Sequence, residues 1–247
     1  MRKTLLMAAA ALAAGVISSQ AGVYSANIVG YANVAAQGGK NTLLACPFVI
    51  GQSNGLNEVF GESLPLYSEV LTYNGSGYSV ALFDNSNGAG TPEWYQSDDS
   101  TPLTTIPTVP PGKGFFLVSQ GNITNVFVGS VAVSVGTSNL MTLVSGKNNL
   151  VGSPIPYAGA VTNGNNSTGG PNLNGLPLYS ELLFWNGGGY NVALFDNSNG
   201  AGTPNWYLGD DTTPYVDPST GGNVPNITVG QGFFIVPQGA YTWDVGL

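Results

Sequence analysis

Glu69-Val70-Leu71-Thr72-Tyr73, then Asn74-Gly75-Ser76-Gly77, then Tyr78-Ser79-Val80-Ala81-Leu82-Phe83 decides the fold class. Two runs rich in β-branched and aromatic residues flank an Asn-Gly turn, which is the short-range signature of a β-hairpin. The same pattern returns as Glu181 to Trp185, Asn186-Gly187-Gly188-Gly189 and Tyr190 to Phe195. Residues 64–99 align without gaps on residues 176–211, and 28 of the 36 pairs are identical, so the chain carries an internal duplication. The segment Ala81 to Pro92 recurs unchanged as Ala193 to Pro204.

With small gaps the match spreads outward. Gly39-Lys40-Asn41, Leu43 and Pro47 answer Gly146-Lys147-Asn148, Leu150 and Pro154. Gly112-Lys113-Gly114-Phe115-Phe116 answers Gly230-Gln231-Gly232-Phe233-Phe234. Gly114 to Val118 is expected to be a buried strand entered through a turn at Pro110-Pro111-Gly112. The period exceeds that of solenoids and propeller blades, and two tandem domains of ordinary size are expected.

The expected boundaries are 1–21 for a signal peptide, 22–129 for the first β-module and 130–247 for the second. Arg2 and Lys3 precede an apolar run from Leu5 to Ile17, and Ser19-Gln20-Ala21 supplies small residues for cleavage. The run is too short to span a bilayer, which needs about 20 apolar residues, and no later stretch would cross as a helix. The expected location is secreted, periplasmic or at the cell surface.

Removing Arg2 and Lys3 from the formal balance of −8 leaves about −10, with Lys40, Lys113 and Lys147 as the remaining cations and no His anywhere. Nucleic acid is thereby a poor partner, since phosphates must be neutralised by Lys and Arg. Charged residues are 7% and apolar residues 43%, a balance that favours a packed core over disorder. Short apolar runs between Gly, Asn, Ser, Thr and Pro mark an all-β chain of two tandem β-sandwich-like or small-barrel modules. A membrane barrel shares the Gly-rich acidic composition, but sixteen Pro and the lack of regular alternating ten-residue strands oppose it.

Lack of His removes Ser-His-Asp and Cys-His nucleophile systems and most zinc and haem sites, and no catalytic residue is assigned. Cys46 forms no internal disulfide, being the single cysteine, and sits in an apolar run that predicts burial; Ser153 holds its place in the second copy. Calcium is the candidate cation, through oxygen ligands at Asp84, Asp98 and Asp99 and at Asp196, Asp210 and Asp211. The spacing is not that of an EF-hand, and a turn closed by its own Asx side chains explains the same residues. Trp94-Tyr95 and Trp206-Tyr207 form candidate sugar-stacking platforms, with core packing as the competing assignment.

Val-Gly segments at Asn27 to Gly30, Val126 to Gly129 and Trp243 to Gly246 suggest equivalent end strands, the middle one closing the first copy and opening the second. Such strands would complete the sheets or pair between neighbouring chains. Asn149 to Pro154, the aromatic hairpin from Tyr179 to Tyr190, and Val229 to Phe234 together resemble a module recurring in secreted bacterial surface proteins. That module reads N-L-[IV]-G-N-P, a Gly-Tyr hairpin, a Trp and P-G-[QE]-G-F-F. The opening Tyr24 to Tyr31 is similar to tandem proteins of this kind, while Cys46-Pro47 and Ser153-Pro154 depart from Asn-Pro. The resemblance implies fold and export and carries no activity. The expected function is a non-enzymatic structural or adhesive surface protein, self-associating, with extracellular glycan binding as the alternative.

Overall fold

The computed structural model describes residues 29–247 apart from 86, 87, 89, 135, 165–168 and 198–201. The expected signal peptide, and the Asn27-Ile28 part of the first Val-Gly segment, lie outside the described residues. The protein is all-β. Its first half runs β1 (Val29–Ala36), β2 (Asn41–Ala45), β3 (Phe48–Val49), helix α1 (Leu56–Phe60), β4 (Ser68–Tyr73), β5 (Tyr78–Asp84), β6 (Glu93–Tyr95), β7 (Gly114–Val118) and β8 (Ile123–Val131). The second half runs β9 (Ser138–Leu143), β10 (Asn149–Gly152), β11 (Gly159–Ala160), β12 (Ser180–Trp185), β13 (Tyr190–Asp196), β14 (Asn205–Leu208), β15 (Asn226–Ile227), β16 (Gly232–Val236) and β17 (Tyr241–Gly246).

The expected hairpin is β4–β5, in register from Ser68↔Phe83 to Tyr73↔Tyr78. Asn74 closes it through both its backbone and its side chain. Its N–H donates to the Gly77 carbonyl at 3.0 Å, and its Oδ1 accepts from the N–H groups of Ser76 and Gly77. Gly75 sits at φ 96°, a conformation that favours glycine. Asn186 and Gly187 repeat this turn between β12 and β13.

Two five-stranded antiparallel sheets result, with orders β2-β7-β4-β5-β6 and β10-β16-β12-β13-β14. Because side chains alternate across a strand, each sheet has two different faces. Val70, Ala81, Phe83, Phe115 and Leu117 meet Val34, Phe48 and Phe127 of a three-stranded sheet, β1-β8-β3, with α1 adding Leu56, Val59 and Phe60. In the second half Leu182, Phe184, Phe195, Phe233 and Ile235 meet Trp243 and Val245 of β17. A 3-10 turn at Leu173–Gly175 stands in for α1 and buries Leu173. The Trp243 indole donates to the Pro171 carbonyl. Each half is thus sandwich-like, with sheet packed on sheet.

The Val-Gly segments are not equivalent in the way the sequence suggests. Ala36 pairs with Ile123, and its counterpart Leu143 pairs with Tyr241. Phe127 therefore answers Val245, one residue out from an alignment on Val-Gly. A one-residue slip would exchange buried for exposed side chains, and both Phe127 and Val245 are fully buried. Nor does the middle strand open the second half. β8 pairs with β1 and β3, while β17 pairs with β9, a strand the sequence does not announce because it is largely half-exposed. Gly129 serves packing, since a Cβ there would lie 2.3 Å from the Val49 carbonyl oxygen.

Candidate functional site

The hairpin aromatics join the two halves. The second face of each five-stranded sheet packs on that of the other through Leu43, Phe116, Leu150 and Phe234, flanked by Leu71, Tyr73, Leu183 and Trp185. Ala45 N–H donates to the Gly230 carbonyl at 2.8 Å, and its counterpart Gly152 donates to Gly112 at 3.2 Å. Bridges between Leu44 and Gln231 and between Lys113 and Val151 are related in the same way. Reciprocal contacts of this type define a pseudo-two-fold joint, as in an isologous dimer.

Six rings circle the joint. Phe234 meets Tyr73 and Tyr190 with centroids 5.7 Å away in each case, and Phe116 meets Trp185 at 5.5 Å and Tyr78 at 5.8 Å. All four contacts are edge-on, the geometry preferred by aromatic quadrupoles, and such pairs contribute about 0.5–1.5 kcal/mol each beyond burial. Burial, aided by the neighbouring counterpart Tyr190, pushes the Tyr78 phenol up to about 12. Gly152 and Gly232 permit the approach. A Cβ on the first would lie 2.1 Å from the Ala45 Cβ, and on the second 2.6 Å from the Leu44 carbonyl oxygen.

Trp94 and Trp206 are each 2% exposed, and Tyr95 and Tyr207 are also buried. An exposed stacking platform at these four residues is therefore corrected to core. Trp94 stacks obliquely on Phe83 at 5.1 Å, and its Nε1 donates to Asn57 Oδ1 at 2.7 Å. Trp206 repeats the contact with Phe195 at 5.0 Å, but its Nε1 has no partner. Period-two reading could have found this: Trp94 pairs with Phe83, and both point inward.

The acidic residues do not converge. Asp84 and Asp196 are buried at the ends of β5 and β13. Asp98 Oδ1 accepts from the N–H groups of Ser100 and Thr101, and its Oδ2 accepts from the Thr101 hydroxyl at 2.6 Å. Asp210 does the same with Thr212 and Thr213. Hydrogen bonds from Thr101 and Ser100 hold Asp98 down to about 2, and those from Thr213 and Thr212 lower Asp210. Asp99 and Asp211 occupy left-handed turn positions at φ 57° and 60°. Among the described residues no three His, Cys, Asp or Glu side chains come together as a metal site. Parts of the repeated loop, Ser86, Asn87 and Ala89 and residues 198–201, lie outside the described residues. Cys46 is fully buried, and desolvation raises its thiol to about 11.

The outer face of β1-β8-β3 is one exposed apolar surface. Tyr31 is 73% and Val29 68% exposed, and Val49, Val126 and Val128 are exposed beside them. Tyr31 pairs with Val128 and Asn33 with Val126. β1 ends this sheet, and its eight residues, VGYANVAA, contain neither charge nor proline. Among the described residues no helix is long and apolar enough to cross a membrane.

Fold and surface together describe an all-β protein built from two topologically matching five-stranded sheets. No family model matches the chain, and no curated protein or solved structure matches it significantly.

Proposed function

We propose that the protein is an exported, non-enzymatic structural or adhesive component that associates with copies of itself through the β1 edge and the outer face of its sheet. The single observation carrying this is that β1 is an edge strand without charge or proline. Edge strands in soluble proteins are usually blunted by Lys, Pro, bulges or a covering element, and β1 has no charge and no proline while presenting Val29 and Tyr31 outward. A second copy is the natural occupant, because two β1 edges pair antiparallel about a two-fold axis. Export is supported by Arg2-Lys3, the apolar run and Ser19-Gln20-Ala21. The lack of His and the inert, buried Cys46 support a non-catalytic role.

Sedimentation of the mature chain tests this. Self-association should appear in the wild type and be suppressed in Tyr31→Lys and Val128→Lys, which place charge on the face without touching the core. Equal mass distributions for wild type and both variants would refute it.

A further inference from the structure

The pseudo-two-fold joint creates two clefts that the duplication should have made alike, and they are not. One, of about 620 Å³, is lined by Tyr73, Pro111, Lys113, Met141, Thr142 and Lys147 among others. The other, of about 490 Å³, is lined by Val34, Thr42, Val229 and Gln231 among others. Lys113 stands where the second cleft has Gln231, and Met141 where it has Val34. The larger cleft thus holds two of the three lysines that follow Lys3, in a chain with thirteen carboxylates, and no carboxylate lines it.

We propose that this cleft binds an acidic oligosaccharide, with the ammonium groups of Lys113 and Lys147 receiving uronate carboxylates and Tyr73 and Pro111 facing the sugar rings. The volume falls within the range of small-ligand pockets, about 300–1,000 Å³. Lysines act as separated point charges, which suits singly charged carboxylates spaced along a chain. An Arg fork or a cradle of backbone N–H groups would suit a phosphate better. Lys113 donates to the Thr108 carbonyl at 3.3 Å, and an ammonium has two further donors. Desolvation lowers its pKa, so an anion beside it would supply the missing counter-charge. Proline and tyrosine faces offer the apolar surface that sugar C–H groups pack on, and both halves of the molecule contribute.

Titration calorimetry of the mature chain with trigalacturonate, and with neutral maltotriose as control, tests the site. Trigalacturonate should bind at one equivalent, weaken with added salt, and bind about tenfold more weakly to Lys113→Gln and to Lys147→Gln, the loss expected for one charge-assisted contact. Lys40→Gln makes the same change in net charge outside the cleft and should bind as wild type. No binding of trigalacturonate, equal binding of maltotriose, or a loss in Lys40→Gln as large as in Lys113→Gln would overturn the proposal. Self-association need not change in any of these variants, so failure here leaves the β1 interface independently testable.

Discussion

The indole Nε1 of Trp185 donates to the backbone carbonyl of Asn41 at 2.8 Å, across 144 residues of chain. The bond ties the hairpin of the second half to the first strand of the joint, beside the edge-on contact of Trp185 with Phe116. Trp185→Phe keeps a ring and removes the donor, so it should lower stability by about 1 kcal/mol, the net worth of one such bond. Urea unfolding followed by circular dichroism checks this.

Close approach of the two sheets makes a glycine prediction. Gly232→Ala places a Cβ 2.6 Å from the Leu44 carbonyl oxygen. It should destabilise by about 1–3 kcal/mol, as overpacking does. Gly188→Ala is the control, because a Cβ there meets nothing within 4 Å. Thermal melts of the two variants should separate clearly.

Although Trp94 and Trp206 are counterparts, they should respond differently. Trp94→Phe gives up the bond to Asn57, whereas Trp206→Phe removes a buried N–H that has no partner. Trp94→Phe should therefore be the more destabilising by about 1 kcal/mol. Either residue changed to Ala should lose about 3–5 kcal/mol, as large cavities do. Equal melting shifts for the two Phe variants would contradict the asymmetry.

Acid should loosen the molecule at specific turns. Hydrogen bonds from Gln52, Gly55 and Ser53 hold the Glu58 carboxyl at about 2, below its ordinary 4.5, and Asp98 is likewise held at about 2. A carboxyl depressed on folding contributes stability above its unfolded value and loses it as pH falls through the folded one. Stability should thus decline between about pH 4.5 and pH 2, and Glu58→Gln should flatten part of that decline in unfolding curves recorded across the range.

Cys46 should resist modification. Burial keeps it a thiol well above neutral pH, and the thiolate is the reactive form. At pH 8 a thiol-specific reagent should label it only after denaturant is added. Rapid labelling of the native chain would show that the site opens.

How far could the sequence be read? The hairpin, its Asn-Gly turn and the strand Gly114–Val118 were legible because they are local: turn chemistry and short-range β pattern need no distant partner. The duplication was legible by comparison of the chain with itself, and burial of Cys46 followed from its apolar run. β9 was not, because Ser138–Leu143 packs one edge only and alternates weakly. Gly114, Gly152 and Gly232 carried a faint signal, since glycine within a strand often marks close backbone approach.

The roles of the aromatics lay beyond that reach. Trp94 and Tyr73 look alike in sequence, each aromatic and near a turn. Strand parity and a second sheet send Trp94 into its own half's core and Tyr73 to the joint. By itself the sequence determined the all-β class, the repeated hairpin and the sparse charge, all of which follow from residue type and short-range spacing. Only the tertiary structure decided which face meets which. The pairing of Ala45 with Gly230, the junction at Tyr78 and Tyr190, and the gathering of Lys113 and Lys147 into one cleft depend on two distant sheets burying their remaining apolar faces against each other.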